Sequence, residues 1–209
     1  MIKAIIFDVG GVLLRTPNRE SRRIWEERLG LSEWESEVIV FGSDMGQKAQ
    51  MGAISDQELW KWVGRHLALS PEQLVAFQHD FWAGDILDRE LVDFIQSLRP
   101  QYQTAIISNA TDALRDTLQS VYPIADAFDM IVCSAEEKVM KPDREIYERT
   151  LNRLGRSADQ AIFIDDSEPN IQAARALGMK GIHFKPSLDL PSVLTNAGIL
   201  GEKNEQGHR

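Results

Sequence analysis

Four short segments carry the side chains of this chain that could do chemistry together. They are Asp8 in FDVGGVLL, Ser108-Asn109 in IISNA, Lys141 at the head of KPDREIYE, and Asp165-Asp166 in FIDDSEPN. Asp8, Asp165 and Asp166, if gathered, would set three carboxylates side by side, and like charges that close cannot all stay ionised without compensation. A hard divalent cation with oxygen ligands removes the conflict, and Mg²⁺ suits a site with few carboxylates and some water. Lys141 adds a second positive charge, so the cluster could accept an anion. A phosphoryl group fits. Its oxygens need donors, which the Ser108 hydroxyl, the Lys141 ammonium, the Asn109 backbone N–H, the cation and the turn after Asp8 can supply. Gly10 and Gly11 let that turn approach closely. Asp8 is then the nucleophile, forming an acyl phosphate that water cleaves.

Such residues converge only if strands deliver them to one edge. Residues 2–7 form a short apolar run that ends at Asp8, as expected of a central parallel strand. Similar runs recur at 104–107, 130–133, 161–164 and 181–184, separated by helical patterns at 91–98, 142–154 and 169–177. The last two patterns open with Pro and close at Gly155 and Gly178. This alternation predicts an α/β fold with a Rossmann-like parallel sheet, whose ligands lie beyond the carboxyl ends of the strands.

From about residue 17 to 83 only helical signals appear, at 18–29, 32–40, and after the capping residues Ser55 and Ser70. All five tryptophans (Trp25, Trp34, Trp60, Trp62 and Trp82) lie there, and packing inside a small bundle is the expected role. The predicted division is a core of residues 1–15 and 84–209 with a helical-bundle cap, 16–83, inserted after the first strand. The polar stretch 202–209 reads as a frayed tail.

A net charge of −9 repels nucleic acid and anionic lipid, so neither is an expected partner. No apolar stretch is long enough for a membrane span, and MIKAIIFDVGGVLL reads as a buried strand rather than a secretory leader because Asp8 interrupts it. A single cysteine, Cys133, forbids an internal disulfide and fits a cytoplasmic setting. Oligomeric state is left open.

Taken in order, the four segments resemble the haloacid dehalogenase-like hydrolase superfamily over essentially the whole chain. Members similar to this one include sugar-phosphate phosphatases and proteins like the N-terminal domain of epoxide hydrolases. The resemblance implies a helical cap over the site, Mg²⁺ as cofactor, and a small phosphorylated metabolite, such as a sugar phosphate, as substrate. It implies metal ligation by Asp8, the Gly10 carbonyl and Asp166, with Asp165 bound directly or through water. Ser108 and Lys141 would hold the phosphoryl oxygens.

One position departs from that pattern. Phosphatases of the superfamily commonly carry a general acid–base Asp two residues after the nucleophile, where this chain has Gly10. Two outcomes follow. Either a cap residue supplies the acid, with Asp44 or Lys48 in a specificity loop at 43–51 as candidates, or only substrates with good leaving groups are turned over. Competing readings are a metal-free dehalogenase, which leaves Asp165 and Asp166 uncompensated, and a weakly active binding protein. Arg15 is a further candidate for meeting a substrate anion, whereas Cys133 and His183 read as packing residues.

Overall fold

The structure is a computed structural model and describes residues 1–200. The expected tail, 202–209, lies outside the described residues. The first half of the chain contains β1 (Ala4–Phe7), β2 (Leu14–Arg15), α1 (Glu20–Leu29), α2 (Glu35–Glu37), α3 (Asp44–Gln50), α4 (Asp56–His66), α5 (Pro71–Trp82), β3 (Ile86–Leu87) and α6 (Arg89–Ser97). Then follow β4 (Gln103–Ser108), α7 (Leu114–Asp116), β5 (Met130–Cys133), α8 (Ser134–Glu137), α9 (Arg144–Leu154), β6 (Ala161–Asp165), α10 (Glu168–Leu177), β7 (Lys180–His183) and α11 (Leu190–Asn196). π-Helical turns extend α2 over Val38–Gly42 and α7 over Thr117–Val121.

Five strands pair in the order β5-β4-β1-β6-β7, and every pairing is parallel. β1 is central and all four of its residues are buried, because both faces of the sheet are covered. Successive side chains of a strand point to opposite faces. Ile5 and Phe7 therefore join Leu91, Ile95 and Leu194 on one side, while Ala4 and Ile6 join Ile146, Tyr147 and Ile171 on the other. In-register pairing of Phe7 with both Ile106 and Ile164 sets the residues that follow each strand side by side.

The helices between β2 and β3 have an apolar cluster of their own, built on Trp25, Leu59, Trp60, Val63, Phe77 and Phe81. The chain enters and leaves this insertion through β2 and β3, which pair antiparallel, Leu14 opposite Leu87 and Arg15 opposite Ile86. Capping boxes at Ser55 and Ser70 start α4 and α5, as their sequences predict.

Three sequence expectations are corrected. The stretch 43–51 is not a loop: it holds α3, whose Gly46 N–H donates to the Ser43 hydroxyl at 3.0 Å. Residues 32–40 form only one α-helical turn before the π-helical segment. α9 begins at Arg144 rather than Pro142, because the Asp143 carboxylate caps it by accepting from Glu145 N–H at 2.9 Å. The tryptophans also divide. Trp25 and Trp60 are buried, whereas Trp34 is exposed beneath the Arg19 guanidinium and Trp82 faces the cavity described below.

Candidate active site

β1, β4 and β6 deliver Asp8, Ser108-Asn109 and Asp165-Asp166 to one edge of the sheet, and Lys141 reaches in from the segment preceding α9. Carboxylate oxygens of Asp8, Asp165 and Asp166 lie within 4.8 Å of one another. The Lys141 ammonium, with 1 % of its side chain exposed, stands 2.8 Å from Asp8 Oδ1 and 2.7 Å from Asp165 Oδ2. A buried ammonium is tolerated because it is doubly paired.

Each carboxylate has a different set of neighbours. Asp165 Oδ1 accepts from Ser167 N–H at 2.7 Å and from the Asn170 amide at 3.1 Å, and Oδ2 accepts from Lys141 and again from Asn170. Those four contacts fill the acceptor sites of a carboxylate. Asp165 is thereby committed to holding Lys141 and the turn into α10. Asp8 Oδ1 accepts from Val9 N–H at 2.7 Å and from Lys141, which directs its Oδ2 away from both donors. Asp166 has no such partners on its carboxylate among the described residues, and its backbone carbonyl lies 2.8 Å from His183 Nε2. His183 therefore bridges the Asp166 loop and Glu168 rather than packing in the core.

Burial pushes the Asp8 carboxyl up to about 6; Lys141 opposes that rise and Asp165 adds to it. Burial, then the neighbouring Asp165, also raises Asp166. Burial leads both shifts and the carboxylate of Asp165 adds to them, so a divalent cation in the cluster would favour the ionised forms. The hard oxygens of Asp8, Asp165 and Asp166, beside an open turn at Gly10, fit Mg²⁺. Gly11 has φ +74°, and a Cβ there would lie 1.9 Å from Asp166 Oδ2. Its glycine thus makes room for a carboxylate, a role beyond the close backbone approach expected from the sequence. At Gly10 a Cβ would meet nothing within 4 Å.

The Ser108 hydroxyl, buried at the end of β4, has no hydrogen-bond partner among the described residues. Asn109 does more than the sequence indicates. Its amide clasps the Lys141 backbone, donating to the carbonyl and accepting from the N–H, both at 2.8 Å. A clasp across 32 residues of chain leaves no local sequence signal.

Above the cluster opens a cavity of about 1330 Å³ between the sheet edge and the helical insertion. Asp44 and Lys48, the candidates for a cap-borne acid, are exposed on α3 and do not line it. Arg15 lines it but is ion-paired to Asp88. The carboxyl that the insertion does present is Asp56, at the first turn of α4. Its Oδ1 accepts from the Thr111 hydroxyl at 2.8 Å, and its N–H donates to Asp112 Oδ1 at 2.8 Å. Burial, the largest influence on it, raises its carboxyl above its usual value. In the sequence this residue is hidden inside the Ser55–Glu58 capping box. Ser134, on α8, ties the insertion down as well, donating to the Gln50 carbonyl at 2.6 Å and accepting from Ala110 N–H at 3.0 Å.

Cys133 is buried, and burial raises its thiol, so it packs rather than reacts. No helix among the described residues is long and apolar enough to cross a membrane.

The chain is 28 % identical over 187 residues to a sesquiterpene phosphatase of Aspergillus oryzae, covering 89 % of this chain and 91 % of that protein. It is 24 % identical over 185 residues to the fructose-1-phosphate phosphatase of Escherichia coli, covering 87 % of this chain and 95 % of the relative. A HAD family enzyme from Bacteroides thetaiotaomicron, solved with magnesium and inorganic phosphate, superposes with a TM-score of 0.77 at 24 % identity, over 92 % of this chain and 99 % of that one; the likeness is one of fold. The family model described as haloacid dehalogenase-like hydrolase matches residues 2–178, so the chain is an enzyme that belongs to the haloacid dehalogenase-like hydrolases.

Proposed function

We propose that this enzyme is a Mg²⁺-dependent phosphatase that hydrolyses a small phosphomonoester through an aspartyl-phosphate on Asp8. The observation that carries the reading is the buried Lys141 ammonium between Asp8 and Asp165, with Asp166 of the same cluster lining a large cavity. Phosphatases acting on a sugar phosphate and on a sesquiterpene are both among the relatives. In this reading residues 16–83 form the cap over the site.

Asp8 Oδ2 attacks phosphorus while Oδ1 stays anchored by Val9 N–H and Lys141. The O–P bond to the leaving alcohol breaks as the new acyl phosphate bond forms. Ser108 and Lys141 steady the phosphoryl oxygens, and Asn109 keeps Lys141 in place. Asp8, the Gly10 carbonyl and Asp166 would hold Mg²⁺, which when bound supplies charge stabilisation of the transferring group. Asp165 acts on Lys141 and stands outside the direct ligands.

The leaving oxygen needs a proton, and Gly10 cannot give one. Asp56 takes that role, facing the cavity from the insertion with one oxygen held by Thr111. Burial raises its carboxyl, the direction a proton donor needs. Asp56, now a carboxylate, takes a proton from water as that water attacks phosphorus; the acyl phosphate bond breaks, phosphate departs, and Asp8 and Asp56 are both restored. Acid-quenching the enzyme during turnover of p-nitrophenyl phosphate with Mg²⁺ should trap phosphate on the Asp8 peptide. A folded Asp8→Asn protein that still turns over would refute the scheme.

A further inference from the structure

We infer that the alcohol part of the substrate is a hydrocarbon body, so that the natural substrate is an apolar phosphomonoester rather than a sugar phosphate. The inference rests on the phosphatase reading above and concerns the wall of the same cavity. At about 1330 Å³ the space exceeds the roughly 300–1,000 Å³ of ordinary ligand pockets. A phosphoryl group would occupy only its floor.

The walls that remain are apolar in a way the rest of the surface is not. Nine large hydrophobic side chains are exposed among the described residues, and four of them (Phe41, Trp82, Ile86 and Val121) line this cavity. Phe41 and Trp82 come from the insertion and touch edge to face, with ring centroids 5.9 Å apart. Ile86 comes from β3 and Val121 from the π-helical extension of α7. Exposed apolar side chains gathered around one concavity mark a surface that is covered in use, and continuity with the phosphoryl floor identifies the cover as the rest of the substrate.

Many polar residues of the walls are occupied with one another, and Gln78, Arg89 and Glu90 are lining side chains left without such a partner among the described residues. Arg15 pairs with Asp88, Arg22 with Asp85 at 3.0 Å, and Asp56 with Thr111 at 2.8 Å, while Thr16 donates to Asp85. The Thr117 hydroxyl is turned to the Ala113 carbonyl. A polyhydroxylated body bound here would bury more hydroxyls than these three side chains can pair, and each one left unpaired weakens binding. A hydrocarbon body has no such need. The bond chemistry is the hydrolysis already described, with water consumed and an apolar alcohol released.

The test is a series of n-alkyl phosphates from ethyl to decyl, each below its micelle-forming concentration, assayed for phosphate release with Mg²⁺ beside glucose 1-phosphate. We expect kcat/KM to climb with chain length by up to about fourfold per buried methylene, and decyl phosphate to outperform the sugar phosphate. Ile86→Asp and Val121→Asp, both at well-exposed positions, should flatten that climb. In parallel, the tryptophan fluorescence of Asp8→Asn protein is titrated with ethyl- and decylphosphonate, a readout that needs no turnover. Tighter decylphosphonate binding supports the apolar wall. Equal affinities, or a length-independent kcat/KM, overturn it. If no phosphate ester is hydrolysed, the phosphatase reading fails, and the two phosphonate affinities still decide whether the wall takes a hydrocarbon.

Discussion

Replacing Lys141 with Met removes a charge while keeping most of the buried stem, and isolates what that charge does. Its ammonium sits 2.8 Å from Asp8 and 2.7 Å from Asp165, with 1 % of the side chain exposed. Stripping the partner from a buried ionic group costs about 3–5 kcal/mol. At roughly 2–4 °C per kcal/mol for a chain of this size, the thermal midpoint of the metal-free protein should fall by about 6–20 °C at pH 8. The loss should depend on pH in a defined direction. Asp8 already stands at about 6 against an ordinary 3.8, so its ionisation weakens the fold. That contribution is nil below 3.8 and complete above about 6, where it is worth about 3 kcal/mol. Lys141 holds the value down, so without it Asp8 rises further and stays protonated to higher pH. At pH 5 the variant therefore keeps Asp8 neutral and should lose less than at pH 8. Thermal unfolding followed by circular dichroism in EDTA at both pH values measures the difference, and added Mg²⁺ should recover part of the loss at pH 8. An equal loss at both pH values, with no response to Mg²⁺, would show that the cluster is not organised around charge.

Three further substitutions probe the acid and the metal floor. Asp56→Asn should lower kcat by about 10²- to 10⁴-fold on an alkyl phosphate, and far less on p-nitrophenyl phosphate, whose leaving group needs no proton; equal losses on both would remove Asp56 from the proton transfer. Gly10→Asp has open space for its side chain, so it should restore turnover in the Asp56→Asn background, and steady-state kinetics on the double variant would check this. Gly11→Ala forces a Cβ to within 1.9 Å of Asp166 Oδ2 at a φ of +74°. The Mg²⁺ concentration for half-maximal activity should rise at least tenfold, with the fold preserved by circular dichroism.

What the sequence made legible followed from local chemistry. Apolar runs closed by Asp8, Ser108 and Asp165 marked strands that are buried on both faces, and the boxes at Ser55 and Ser70 marked helix starts. α3 escaped because DMGQKAQ has no apolar period. Its helix depends on the Ser43 cap and on Gly46, where a Cβ would lie 2.3 Å from the Val40 carbonyl. Asp56 escaped for a different reason: a residue inside a capping box already has a structural explanation, and only its pairing with Thr111, 55 positions away, shows that it faces the cavity. The Asn109 clasp on Lys141 and the His183 contact to Asp166 are likewise products of tertiary geometry. Spacing alone could place the reactive groups at one edge, but it could not say which carboxylate was already saturated.

The paired strands β2 and β3 bear on how such a chain can be assembled at all. Arg15 and Ile86 lie opposite each other in an antiparallel ladder, so the insertion starts and stops at neighbouring points. Closing a flexible loop costs entropy that grows only slowly with its length, and here the closure is held by the ladder itself whatever lies between. To the parallel sheet, the helical segment is equivalent to a hairpin turn. Such a junction lets a different segment be grafted at the same two residues without asking the host to reorganise, and the wall above the carboxylate cluster can change while Asp8 and its neighbours stay where they are.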